Sequence, residues 1–114
     1  MQTNIIVKWD LEGTHCWPNA PDEFAILRSP HSHIFRFVVH IPVTNSRQLE
    51  FLKVRRKLVR AVKDEYGDIV CEFGNNSCED LAYSLAGRVF DLYDVHPSRV
   101  AVFEDTFVGA EVIE

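Results

Sequence analysis

The sequence predicts an α+β fold: an antiparallel four-stranded sheet with two helices packed on one face, in the order ββααββ. Three observations predict it. Two long segments in the first third alternate or carry β-branched and aromatic residues as strands do. The middle holds two stretches with helical apolar spacing. The last quarter returns to short apolar runs separated by turn residues. Strands that flank a helical pair place the helices together on one side of the sheet.

Residues 4–15 form the first strand. Ile5, Val7, Trp9, Leu11, Gly13 and His15 share one face, while Lys8, Asp10 and Glu12 lie mostly on the other. His15 therefore ends the strand on its apolar side. A loop follows over residues 16–23, punctuated by Pro18 and Pro21. The second strand runs from about His31 to Val43. Phe35, Phe37, Val39 and Ile41 continue the face that carries His31 and His33, and Ile34 and Val38 imply some cover on the other. Residues 52–65 read as an amphipathic helix with Leu52, Leu58, Val59 and Val62 as its stripe and Gly67 as its stop. A second helix starts near Asn76-Ser77; either residue can cap it, with Glu79 or Asp80 as the acidic partner of the first turn. Its buried face is Leu81, Leu85, Val89 and Leu92. After the loop at residues 94–98, a third strand covers Arg99 to Glu104 and a last strand Gly109 to Ile113.

The 114 residues suit one domain spanning 1–114, and 46% hydrophobic residues suit a globular interior. A net charge of -5 argues against nucleic acid as a partner, since such binding displaces counterions with a basic surface. No apolar run approaches the roughly 20 residues that span a bilayer, so no membrane partner is expected, and the N-terminus shows no signal peptide. Cys16, Cys71 and Cys78 are odd in number and lack CxxC spacing. A disulfide framework is not expected, and a cytoplasmic location fits. A four-stranded sheet covered on one face leaves its edges open, so a homo-oligomer is expected.

The chemistry concentrates on histidine. His31 and His33, two apart on a strand, aim two imidazoles at one point. Neutral imidazole is a standard zinc ligand, and three of them leave a coordination position open for substrate or water. An HxH pair alone is a weak signal; His15 at the end of the neighbouring strand would supply the third nitrogen.

Several segments, in order, resemble the 6-pyruvoyl-tetrahydropterin synthase and 6-carboxy-tetrahydropterin synthase family, small zinc enzymes of the T-fold class. Glu12-Gly-Thr-His15 looks like the family's first-strand segment, and His31-Ser-His33 like its His-Gly-His pair. Glu50-Phe-Leu-Lys53 resembles the entry to the first helix. Asn76-Ser-Cys-Glu-Asp-Leu-Ala82 resembles Pro-Thr-Ser-Glu-Asn-Leu-Ala, and Val102-Phe-Glu-Asp-Thr106 resembles Val-Trp-Glu-Thr. The resemblance implies that His15, His31 and His33 bind Zn²⁺ and that Glu104 anchors a pterin-type ring through two parallel hydrogen bonds. It also implies a trimer or hexamer with the site between subunits.

The chain departs from the family in its acid–base groups. The family's cysteine lies four residues before the histidine pair, and here that position is Leu27. The family's Asp–His segment between the helices has no counterpart in residues 66–74, which contain no histidine; Asp68 is at most a remnant. Conceivable substitutes are Cys16, Cys78 at a helix N-terminus where the dipole lowers a thiol pKa, His40 and His96. Cys16 as a fourth zinc ligand is disfavoured, because on a regular strand it points away from His15. The catalytic group is therefore unknown from sequence. Three functions remain: a zinc-dependent lyase acting on a dihydroneopterin triphosphate-like substrate with a rearranged relay, a non-catalytic binder of a pterin, purine or purine nucleotide, and a subunit with a structural metal or none.

Overall fold

The computed structural model describes all 114 residues, Met1–Glu114. Its strands are β1 (Thr3–His15), β2 (His31–Val43), β3 (Cys71–Gly74), β4 (Arg99–Glu104) and β5 (Val108–Ile113), and its α-helices are α1 (Phe51–Tyr66) and α2 (Cys78–Tyr93). A 3₁₀ segment, Asp22–Arg28, fills the connection between β1 and β2. The sheet has the order β3-β1-β2-β4-β5. It has five strands, not the four expected. The additional one, Cys-Glu-Phe-Gly, is too short for its alternation to stand out, and it runs parallel to the end of β1. The remaining pairs are antiparallel.

One face of the sheet carries the core. Phe35, Val39 and Ile41 of β2 are fully buried, with Phe37 nearly so, and Val7 and Trp9 of β1 join them beside Val100 and Val102 of β4. Burying each such side chain contributes on the order of 1.5–3 kcal/mol. Trp9 stacks on Phe37 at 5.3 Å. The helices close this layer through Val54, Leu58 and Val62 of α1 and Leu81, Ala82, Leu85 and Val89 of α2. On the opposite face Val38 is buried beside Ala101, its partner in register, while Ile34 is 45% exposed.

Two expected core positions differ. Leu52 is exposed: Val54, Leu58 and Val62 stand four apart along one line, and Leu52, two before Val54, falls on the far side of the helix. Leu92 is exposed in the last turn of α2, where Tyr93 and Val95 pack against the core instead. The helix signals themselves hold. Gly67 ends α1 at φ 126, which suits glycine. Ser77, not Asn76, caps α2 in a reciprocal capping box with Asp80.

Candidate metal centre and ligand pocket

The register of β1 against β2 sets His15 directly across from His31, and Gly13 across from His33. The end of one strand and the start of the next thus present three imidazoles on one face. One nitrogen from each lies within 4.8 Å of those of the other two. Phe35 lies beside them, edge to face with His15 at 5.1 Å and His33 at 5.7 Å. Glu104 ends β4 opposite Phe35, on the same face.

Each ring is held from behind. His15 Nδ1 lies 2.9 Å from the Asn76 carbonyl, His31 Nδ1 3.0 Å from the Ser29 carbonyl, and His33 Nδ1 2.7 Å from Asp105 Oδ2. A carbonyl or a carboxylate only accepts, so each Nδ1 carries the hydrogen and donates it. The Nε2 lone pairs are then free of protons in the neutral rings, the arrangement that outer partners impose on metal-binding histidines. His15 Nε2 stands 3.0 Å from Glu104 Oε1. His33 Nε2 stands 3.5 Å from Oε2, and it is buried without a hydrogen bond. Imidazole lone pairs facing a carboxylate repel unless positive charge lies between them. The unpartnered, buried His33 nitrogen and the three converging imidazole nitrogens fit a divalent cation such as Zn²⁺.

The fifth strand supplies much of the frame. β3 runs alongside the end of β1, and the Cys16 N–H donates to the Gly74 carbonyl at 2.9 Å. The chain beyond β3 then delivers the Asn76 carbonyl to His15. Gly13 is needed here, since a Cβ would stand 2.8 Å from Phe73 Cδ2. The pairing shifts by one residue between Thr14 and His15. Cys16 lies just past the end of β1, where strand alternation no longer sets its direction, and this corrects the expectation: it lines the same cavity as His15 and donates to Asn75 Oδ1 at 3.2 Å.

The cavity has a volume of about 530 Å³, within the range of small-molecule sites. The three histidines and Glu104 form one wall, and the start of α2 forms another. Trp17 and Leu27 lie at its side. Cys78 also faces it, yet burial first, and then the nearby charges of Glu104 and Glu79, push its thiol up to about 12. Desolvation outweighs the helix dipole, which corrects the expectation of a lowered thiol pKa. Its S–H points to Glu104 Oε1 at 3.8 Å. The other suggested substitutes lie elsewhere. His40 faces the opposite side of the sheet near Arg99 and Lys8, and burial, followed by those cations, lowers its pKa. His96 stacks on Phe90 at 4.4 Å. Asp68 pairs with Arg60.

No family model matches the sequence, and no curated protein does. Solved structures do match. The 6-pyruvoyl tetrahydropterin synthase of Caenorhabditis elegans superposes with a TM-score of 0.73 at 11% identity, over 100% of this chain and 96% of that one. The chain has the fold of this synthase. The Plasmodium vivax 6-pyruvoyl tetrahydropterin synthase gives 0.66 at 11% identity, over 100% and 98%. An uncharacterized protein of Wolinella succinogenes gives 0.67 at 14% identity, over 100% and 99%.

Within this T-fold, Leu27 sits in the cavity wall. Sequence reasoning missed Asp105, Asn76 as a partner of His15, Ser29 and Trp17. Asp105 follows Glu104 directly, so strand alternation sends it to the other face; the reversal of the β4–β5 turn brings it back to His33. No local signal marks the two carbonyl acceptors, because every residue has one.

Proposed function

We propose that the chain is a zinc-dependent member of the 6-pyruvoyl/6-carboxy-tetrahydropterin synthase family that binds, and acts on, a pterin-type substrate resembling dihydroneopterin triphosphate. One observation carries this reading: three Nδ1-anchored imidazoles and the Glu104 carboxylate converge on the wall of a ligand-sized cavity. A zinc ion held by His15, His31 and His33 would supply Lewis-acid polarisation of an oxygen on the substrate side chain. Glu104 accepts two parallel N–H bonds from the 2-amino-4-oxo pyrimidine edge. A ring lacking those donors would leave the carboxylate unpaired, which is the basis of discrimination. Trp17 and Leu27 line one side of the cavity. Val108 and Gly109 reach its rim from β5, an edge strand. A second copy pairing there would complete the enclosure, in keeping with a homo-oligomer, trimer or hexamer, with its sites between subunits. A cytoplasmic location accords with the three free cysteines.

A second reading, binding of a pterin or purine nucleotide without turnover, is favoured by the identity of Leu27 and by the burial that pushes the Cys78 thiol up. General acid–base catalysis is worth roughly 10²–10⁴ in rate, and neither side chain supplies it. The test uses zinc-loaded protein and dihydroneopterin triphosphate, following loss of the 6-substituent alongside calorimetric binding. Turnover supports the lyase, and stoichiometric binding without turnover supports the second reading. Glu104→Ala should weaken binding about 10–100-fold, the equivalent of a charged hydrogen-bond pair. Unchanged affinity in that variant would count against both.

A further inference from the structure

We propose that Asp105 is the positioning residue for His33: its carboxylate fixes the imidazole in the tautomer that turns a bare Nε2 toward the metal. The inference rests on the zinc reading above for its consequence, though not for its geometry. Asp105 Oδ2 accepts from His33 Nδ1 at 2.7 Å, and Oδ1 accepts from the Ile34 backbone N–H at 2.9 Å. The Asp105 N–H in turn donates to the Ile34 carbonyl at 2.8 Å. One side chain thereby clamps both the ring and the strand that bears it. His15 and His31 have only neutral carbonyls behind them, so His33 alone has a charged partner at Nδ1. A charge-assisted bond is roughly twice as strong as a neutral one, and it raises the basicity of the opposite nitrogen.

The backbone supplies an independent observation. Asp105 and Thr106 both adopt positive φ, 53 and 66, in the turn that joins β4 to β5. Neither is glycine, and Thr106 is β-branched, for which this region is strongly disfavoured. Such conformations persist where surrounding contacts over-determine them, and they cluster at functional sites. Here the turn aims the Asp105 carboxylate at β2.

The two acceptor contacts make a sharp test possible. Both neighbours of Asp105 are donors, and only a carboxylate accepts from both. In Asp105→Asn one neighbour must meet the amide NH₂. If Oδ1 keeps the Ile34 N–H, Nδ2 faces His33 Nδ1 and drives the hydrogen to Nε2, the wrong tautomer for a ligand. Asparagine tolerates positive φ as well as aspartate does, so the turn itself survives. Histidine tautomers are read by long-range ¹H–¹⁵N NMR on metal-free protein, with His33 assigned from His33→Gln. Zinc affinity is read by competition with a chromophoric chelator. Asp105→Asn should move His33 from Nδ1–H to Nε2–H and weaken zinc binding about 10–100-fold, with the metal-free chain still unfolding in one cooperative transition. Asp105→Ala should weaken zinc without imposing the Nε2–H form. Wild-type affinity with an unaltered tautomer in Asp105→Asn overturns the proposal, and so does lost affinity with no tautomer change. If the wild type binds no zinc but the tautomer switches in Asp105→Asn, the zinc reading falls while the positioning role stands.

Discussion

His15 is the one buried polar residue of the chain, 8% exposed. Its burial is offset at Nδ1, which donates to the Asn76 carbonyl, while Nε2 faces Glu104 at 3.0 Å, a contact that is favourable only with positive charge between the two. Cys78, a few ångströms away, shows the opposite outcome of burial. Loss of water, and then two neighbouring carboxylates, oppose its thiolate. In the metal-free chain Cys78, its thiol pushed up to about 12, is almost wholly protonated at pH 8. Iodoacetamide at that pH should therefore modify the half-buried Cys16 and leave Cys78 intact, as peptide mapping by mass spectrometry would show. Equal labelling of both would mean that the cavity stabilises a Cys78 thiolate, and would return it to consideration as a proton acceptor. Sequence position alone misreads this residue: the first turn of a helix lowers a thiol pKa only where the thiol is also solvated or near a cation.

At the scale of elements, the β4–β5 turn combines the strongest local conflict with the most specific contacts. A β-branched residue at positive φ costs on the order of 1–2 kcal/mol, and glycine there would relieve it. Glycine also adds freedom to the unfolded chain, offsetting roughly 0.4–1 kcal/mol. Thr106→Gly should thus raise stability by about 0.5–1 kcal/mol in urea denaturation while leaving zinc affinity unchanged. A loss of stability would show that the threonine side chain makes a contact worth more than the strain. The long elements were legible because their periods repeat many times: β1 and β2 span 13 residues each, α1 and α2 16 each. β3 was not. Its four residues alternate buried and exposed only twice, too few repeats to separate a strand from a loop, and its pairing is parallel to a strand more than fifty residues earlier.

Across the whole molecule, the sheet has a dry face under the helices and an outer face with its own charge pattern. Arg36 pairs with Asp10 and Arg99 with Glu111 on that outer face. His40 lies among Lys8, Arg99 and Glu111, and its pKa falls below the ordinary 6.5 because burial and the two cations outweigh the one carboxylate. A depressed histidine binds its proton more weakly folded than unfolded. Stability should therefore be fullest above about pH 6.5 and decline as pH falls through the lower folded value. Replacing the imidazole removes this linkage. Relative to wild type, His40→Gln should gain stability progressively below pH 6.5, the gap levelling off once folded His40 is protonated. Urea unfolding across pH 5–8 measures it, and a gap independent of pH would show that His40 is not a source of acid sensitivity. No helix is long and apolar enough to cross a membrane.

The sequence by itself determined which residues share a face. Period-2 alternation put His15 at the end of one apolar row and His31 and His33 at the start of another, and it left His40 on the reverse side. Side-chain direction along a strand is local, so a short window suffices to read it. The tertiary structure alone decided what stands behind and between those rings. Asn76 meets His15 across 61 residues of chain and Asp105 meets His33 across 72, and the thiol of Cys78 rises because folding removes its water. Partnership at that range and loss of solvent belong to the packed whole, where hydrogen-bond direction and desolvation are set by neighbours distant in sequence.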